Sequence, residues 1–158
     1  MKNYTFKRSV LIIPVIINTI IFILLSLLHL YWAFGGKYGY DDVLPTTSNG
    51  FHKLNPSTTA GLVVAFGLLF MSFITAGNQG LFDRYIKRIY FGYGTLIIAL
   101  IFLLRAIGDF RFIGFFKTVK WTRFGINDTH FFSPLCLFIF LLSVLIFLST
   151  AVHRTEGR

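Results

Sequence analysis

Charge is scarce in this sequence: Asp, Glu, Lys and Arg make up 13% of its 158 residues, against roughly a quarter in an ordinary soluble domain. Four stretches carry none at all: Val10–Gly36, Leu54–Phe82, Ile89–Leu104 and Thr129–Val152. Cysteine occurs once, at Cys136. That excludes an intramolecular disulfide, a CxxC redox pair and a thiolate metal cluster, and its apolar setting reads as packing. HExxH, P-loop and GxSxG motifs are absent. Gly92-Tyr93-Gly94 lacks the remaining glycine of a nucleotide fingerprint and falls in a hydrophobic run. The sequence therefore offers no metal site, implies no cofactor, and contains no recognisable hydrolase or ion-pump machinery.

What fills the chain instead is hydrophobic: 55% apolar residues and a mean hydropathy of +0.72. A hydrocarbon core about 30 Å thick takes around 20 apolar residues as a helix. The uncharged runs are long enough to cross it, and they lack the alternation of barrel strands. The fold expected is all-α: an integral membrane four-helix bundle in one transmembrane domain, with spans near 10–32, 56–76, 89–107 and 134–152. The first run is far longer than the apolar core of a signal peptide, about 7–15 residues, and reads as a retained helix with Pro14 in its first turns.

Local signals set the ends of these spans. Tyr31-Trp32 suits a headgroup boundary and Gly35-Gly36 releases the first helix. Asn55-Pro56 and Ser133-Pro134 each read as a cap followed by a first-turn proline. Arg105 and Gly108 mark the end of the third helix. Gly61, Ala65, Ser72 and Ala76 line one face of the second, a small-residue stripe suited to close helix contact in lipid. Between the third and fourth spans, Phe112, Phe115, Phe116 and Val119 form a stripe with Lys117 and Lys120 outside it. That pattern predicts a short amphipathic helix lying in the headgroup plane.

The net charge of +9 does not point to nucleic acid, because the basic residues lie between hydrophobic runs; they suit anionic lipid and the positive-inside bias. With the termini inside, eight Lys and Arg face inward (Lys2, Lys7, Arg8, Arg84, Lys87, Arg88, Arg154, Arg158) against six outward, or seven with Arg105. The expected orientation has both termini cytoplasmic.

Parity holds whichever way the chain faces. Helices one and three end, and helices two and four begin, on one side of the membrane. The candidate ligand-binding residues His29, Tyr31, Trp32, Arg105, Asp109, Arg111, Asp128 and Ser133 all fall there. Arg105 follows Arg88 by 17 residues, about 26 Å of helix, so it reads either as a snorkelling anchor or as a site cation. His29 is a proton carrier or a hydrogen-bonded neutral ring; with no second histidine at ligand spacing, a metal role is disfavoured. Asp109 suits an ion pair with Arg105 or Arg111, and Asp128 suits a helix start.

Three stretches are familiar together: Leu28-His29-Leu30-Tyr31-Trp32-Ala33-Phe34-Gly35-Gly36, Leu103–Lys117 around Arg105-Ala106-Ile107-Gly108-Asp109, and Asp128-Thr129-His130-Phe131-Phe132-Ser133-Pro134 running on to Leu137. In this order they resemble the bacterial four-span membrane proteins grouped as domain-of-unknown-function family 3995. The resemblance implies a multi-pass protein of the bacterial inner membrane and carries no activity. On the residues alone, the leading expectation is binding of membrane lipid, through an anionic headgroup, or of a partner at the motif-rich face. The alternatives are a membrane-embedded enzyme using His29, Arg105 and Asp109, and a subunit of a transporter or channel. The sequence leaves the oligomeric state open.

Overall fold

The computed structural model describes residues 2–45 and 56–156, with side chains at 12–45 and 56–151. It is helical, with α1 at Lys2–Ala33, α2 at Tyr40–Val43, α3 at Thr58–Gly77, α4 at Arg88–Ile107, α5 at Arg123–Asn127 and α6 at Ser133–Glu156. A five-residue π-turn, Asp128–Phe132, joins α5 to α6. Four helices are long and apolar enough to cross a membrane: Ile12–Ala33, Thr58–Gly77, Arg88–Ile107 and Arg123–Ala151. Most of each lies on the outside, where Ile13, Leu24, Val63, Phe70, Leu104 and Leu148 are exposed. An apolar exterior of this kind is what lipid solvates.

Packing is in two pairs, α1 on α3 and α4 on α6, which meet at a core of Phe22, Leu68, Ile98 and Ile139. The small-residue stripe of α3 forms the first contact. Gly61 lies against Ala33, the Ala65 carbonyl accepts from Ser26 Oγ at 2.8 Å, and Ser72 is buried. A larger side chain at Gly61 would meet the Ala33 Cβ, so the stripe sets how near the two backbones come. α1 and α6 are tied by Asn18 Nδ2 donating to Ser143 Oγ at 3.0 Å. At one end of the bundle Asn78 gathers three helices: its Nδ2 donates to Thr95 Oγ1 at 2.8 Å, and its Oδ1 accepts from Thr150 Oγ1 at 3.2 Å.

Several local expectations are corrected. The cap of α3 is Ser57, whose Oγ accepts from Ala60 N at 3.2 Å, with Pro56 preceding it; Asn55 lies outside the described residues. α1 begins at Lys2, which puts Pro14 in the helix interior. The fourth spanning segment starts at Thr122, whose Oγ1 accepts from Gly125 N at 3.0 Å, and not at Ser133. Pro134 has no N–H to return to residue 130. The widened π-turn just before it accommodates the loss, with Ser133 N bonding the Asp128 carbonyl five residues back. The aromatic stripe at 112–119 is not a helix. This stretch is a chain of bends and turns, folded back on α4 through Phe115 N to Ala106 O at 2.8 Å. Phe112 and Lys117 are both buried there. The reason is electrostatic: Lys117 has an acidic partner, and the backbone bends to deliver it.

A cationic apolar cleft at one end of the bundle

Where α1 and α4 end and α3 and α6 begin, the helices leave a cleft of about 570 Å³. Its walls descend from the bundle end to Leu25 on α1 and Ile139 on α6. Leu25 is eight residues from the end of α1, or about 12 Å at 1.5 Å per residue. Leu28, Val64, Phe102, Leu135 and Cys136 make the deeper walls, and Trp32, Tyr38, Tyr40, Asp42, Ser57 and Phe124 surround the mouth. Arg105 lines it too, held at this level by its place in the last turn of α4.

Behind Arg105 stands a buried carboxylate that gathers the charges of this end of the bundle. Asp128 is fully buried and accepts from four donors. Arg105 Nη2 reaches Oδ1 at 2.8 Å. Oδ2 takes the Gly114 amide at 2.8 Å, Lys117 Nζ at 2.9 Å and Ser133 Oγ at 3.1 Å. Lys117 Nζ also donates to the Gly114 carbonyl at 3.1 Å. The side-chain exposures are 0% for Asp128, 0% for Lys117 and 32% for Arg105. Two cations on one carboxylate leave a net charge of +1, and Arg105 is the member nearest water. Among the described residues Arg105 Nη1 is sealed from solvent and finds no acceptor. A buried donor without a partner costs of order 1–3 kcal/mol, more on a charged group.

The sequence supplies this geometry through two glycines. Gly108 ends α4 at φ +89° and Gly114 repeats that φ in the loop. A side chain on Gly108 would run into the Ile113 carbonyl, and one on Gly114 into the Ile107 carbonyl. The two tight turns bring the loop back to α4 and aim the Gly114 amide at Asp128. Asp109 fixes the turn between them, its Oδ1 accepting from the amides of Arg111, Phe112 and Ile113 at 3.0, 2.7 and 2.9 Å.

The eight candidate residues separate into three groups. Arg105, Asp128 and Ser133 form the charged cluster. His29 and Trp32 line the cleft, their rings edge-on with centroids 5.2 Å apart. His29 Nδ1 is 2.8 Å from the Leu25 carbonyl, so this nitrogen is the protonated donor and Nε2 is left for other contacts. Trp32 Nε1 donates to the Tyr38 carbonyl at 2.9 Å. Tyr31, Asp109 and Arg111 are outside the lining. The Tyr31 hydroxyl accepts from Tyr38 N at 3.4 Å, Asp109 serves the loop backbone, and the Arg111 guanidinium lies over the Phe112 ring at 5.2 Å. Arg105 is therefore no free snorkelling cation, and it pairs with Asp128 and not with Asp109.

Lys117 was missed as a member of the cluster because its spacing sets it apart from an aromatic stripe. A signal was present: Asp128 is the lone acid between Asp109 and Glu156, and a solitary carboxylate at a membrane boundary needs cationic company. Among the described residues no group of three or more His, Cys, Asp or Glu side chains is placed to hold a metal ion.

Comparison with curated proteins and with solved structures finds no match. The family model for the protein of unknown function DUF3995 matches residues 22–143, a stretch that contains every residue lining the cleft, from Leu25 to Ile139. The chain is a member of the DUF3995 family.

Proposed function

We propose that this multi-pass protein resides in the bacterial inner membrane, with both termini cytoplasmic, and holds a membrane lipid by the anionic group of its head in the cleft beside Arg105. One observation carries the reading. A guanidinium belonging to a cluster of net charge +1, its side chain 32% exposed, stands in the wall of a cleft whose deeper part is apolar. Such a surface suits an amphiphile: apolar chains against Leu28, Val64 and Phe102, and a phosphate or carboxylate at the cation. The N-terminus of α3 at Pro56–Thr58 opens on the same cleft and adds its positive dipole end. Joint action of His29, Arg105 and Asp109 on a substrate has weaker support, because Asp109 lies outside the lining.

Native mass spectrometry of the detergent-purified protein tests the reading. Phospholipid is expected to stay bound through mild detergent removal, and Arg105→Gln is expected to weaken it about 10- to 100-fold, the worth of a hydrogen bond to a charged group. If no lipid is retained, or if Arg105→Gln binds as tightly as the parent, the reading is wrong. Reporter fusions at each terminus would check the orientation; a periplasmic signal from either would reject it.

A further inference from the structure

Resting on the lipid-binding reading, we propose that the head of the ligand is zwitterionic: its anionic group meets Arg105, and an ammonium sits at the mouth of the cleft against Trp32, Tyr40 and Asp42. The cleft carries opposite signs at two places. Among the described residues its one lining cation is Arg105 and its one lining carboxylate is Asp42. A purely anionic head would suit the first and meet repulsion at the second. A head with both charges, as in an aminoalkyl phosphate, offers each of them a partner.

The mouth has the chemistry that recognises an ammonium. The rings of Trp32 and Tyr40 meet edge to face with centroids 6.1 Å apart, and the His29 ring lies edge-on to Trp32 at 5.2 Å. Trp32 is oriented by its bond to the Tyr38 carbonyl, so the indole is placed before any ligand arrives. Aromatic rings and a carboxylate lining one mouth attract a cation through the ring quadrupoles and through charge. The Asp42 side chain is 43% exposed, and Arg123 Nη1 stands 3.9 Å away on a side chain that is 86% exposed. That separation is too long for a hydrogen bond, and an exposed pair of this kind is weak. An ammonium seated among the rings can therefore displace it. Lys37 and Lys120 lie outside the lining and do not compete for the same place.

The test uses the full chain, delipidated in detergent, titrated with phosphatidylethanolamine and phosphatidylglycerol of identical acyl chains. Phosphatidylethanolamine is expected to bind about three- to thirty-fold more tightly, the range of a partly to fully desolvated cation–π contact. Asp42→Asn and Tyr40→Leu should remove that preference: Tyr40→Leu by weakening phosphatidylethanolamine, and Asp42→Asn also by tightening phosphatidylglycerol, which no longer meets a carboxylate at the mouth. Arg123→Gln, which frees Asp42 without touching the cleft, should preserve or raise it. Equal or tighter binding of phosphatidylglycerol, or a preference untouched in Asp42→Asn, overturns the zwitterionic head while its sensitivity to Arg105→Gln keeps the lipid reading. Insensitivity of both lipids to Arg105→Gln overturns the lipid reading itself. Free phosphoethanolamine is expected not to displace the lipid; displacement would overturn the lipid as the source of the head. Matching detergent-unfolding midpoints for Asp42→Asn and the parent separate a lost contact from a lost fold.

Discussion

Substituting Asp128→Asn removes the charge from a carboxylate that two cations share, and its cost follows from burial. Lys117 is wholly enclosed, and among the described residues its ammonium bonds to Asp128 and the Gly114 carbonyl. Without the carboxylate it becomes an unpaired buried charge beside a second cation. Breaking a buried pair from one side costs about 3–5 kcal/mol, or roughly two to four decades in the folded-to-unfolded ratio. Lys117→Met should cost less, about 1–2 kcal/mol, because Arg105 still balances Asp128 and the Gly114 carbonyl loses one donor. The double variant Lys117→Met/Asp128→Asn leaves only Arg105, which reaches water, so it should be more stable than Asp128→Asn alone. Reversible unfolding in mixed micelles by added SDS, followed by far-ultraviolet circular dichroism, gives the three values. An Asp128→Asn variant within about 0.5 kcal/mol of the parent, or a double variant no better than the single one, would refute the account of the cluster.

Three further outcomes follow from the geometry. Gly114→Ala, at φ +89° against the Ile107 carbonyl, should cost about 1–3 kcal/mol and expose the loop to proteolysis; an unchanged cleavage pattern would contradict the close approach. Thr122→Ala should remove the cap bonded to Gly125 N and destabilise by about 1 kcal/mol, read from the same unfolding curves. The Asn18 Oδ1 atom is buried without a partner among the described residues, so Asn18→Leu with Ser143→Ala should be neutral or stabilising, since replacing both polar partners removes an unmet acceptor. A loss above about 2 kcal/mol in that pair would show that Asn18 does more than join α1 to α6.

Much of the architecture is legible in the residues because lipid is an undemanding solvent to read. Absence of charge over Leu54–Phe82 or Ile89–Leu104 leaves few alternatives to a spanning helix, and Gly108 stops α4 because its φ suits no larger residue. Parity alone places His29, Arg105 and Asp128 at one end. What the pattern hides is tertiary. Ser133-Pro134 has the form of a helix start, yet Thr122 begins the helix and a π-turn carries the chain past the proline. Lys117 is indistinguishable from a headgroup-facing lysine until the bends at Gly108 and Gly114 are known. Asp109 and Asp128, alike in sequence as acids near a boundary, divide the work: one holds backbone amides and the other gathers cations.

The knot of Asn78, Thr95 and Thr150 has a mechanical consequence. Three helices are sewn together by hydrogen bonds between buried side chains at the end remote from the cleft. At the cleft end Ala33 of α1 lies against Gly61 of α3, and the ionic cluster ties α4 to the start of α6. The Asn78 knot instead fastens one helix pair to the other, so breathing of the bundle is directed to the mouth between the pairs. Amide exchange should then run faster near Trp32 and Ser57 than near Asn78, the pattern a laterally loading lipid pocket requires.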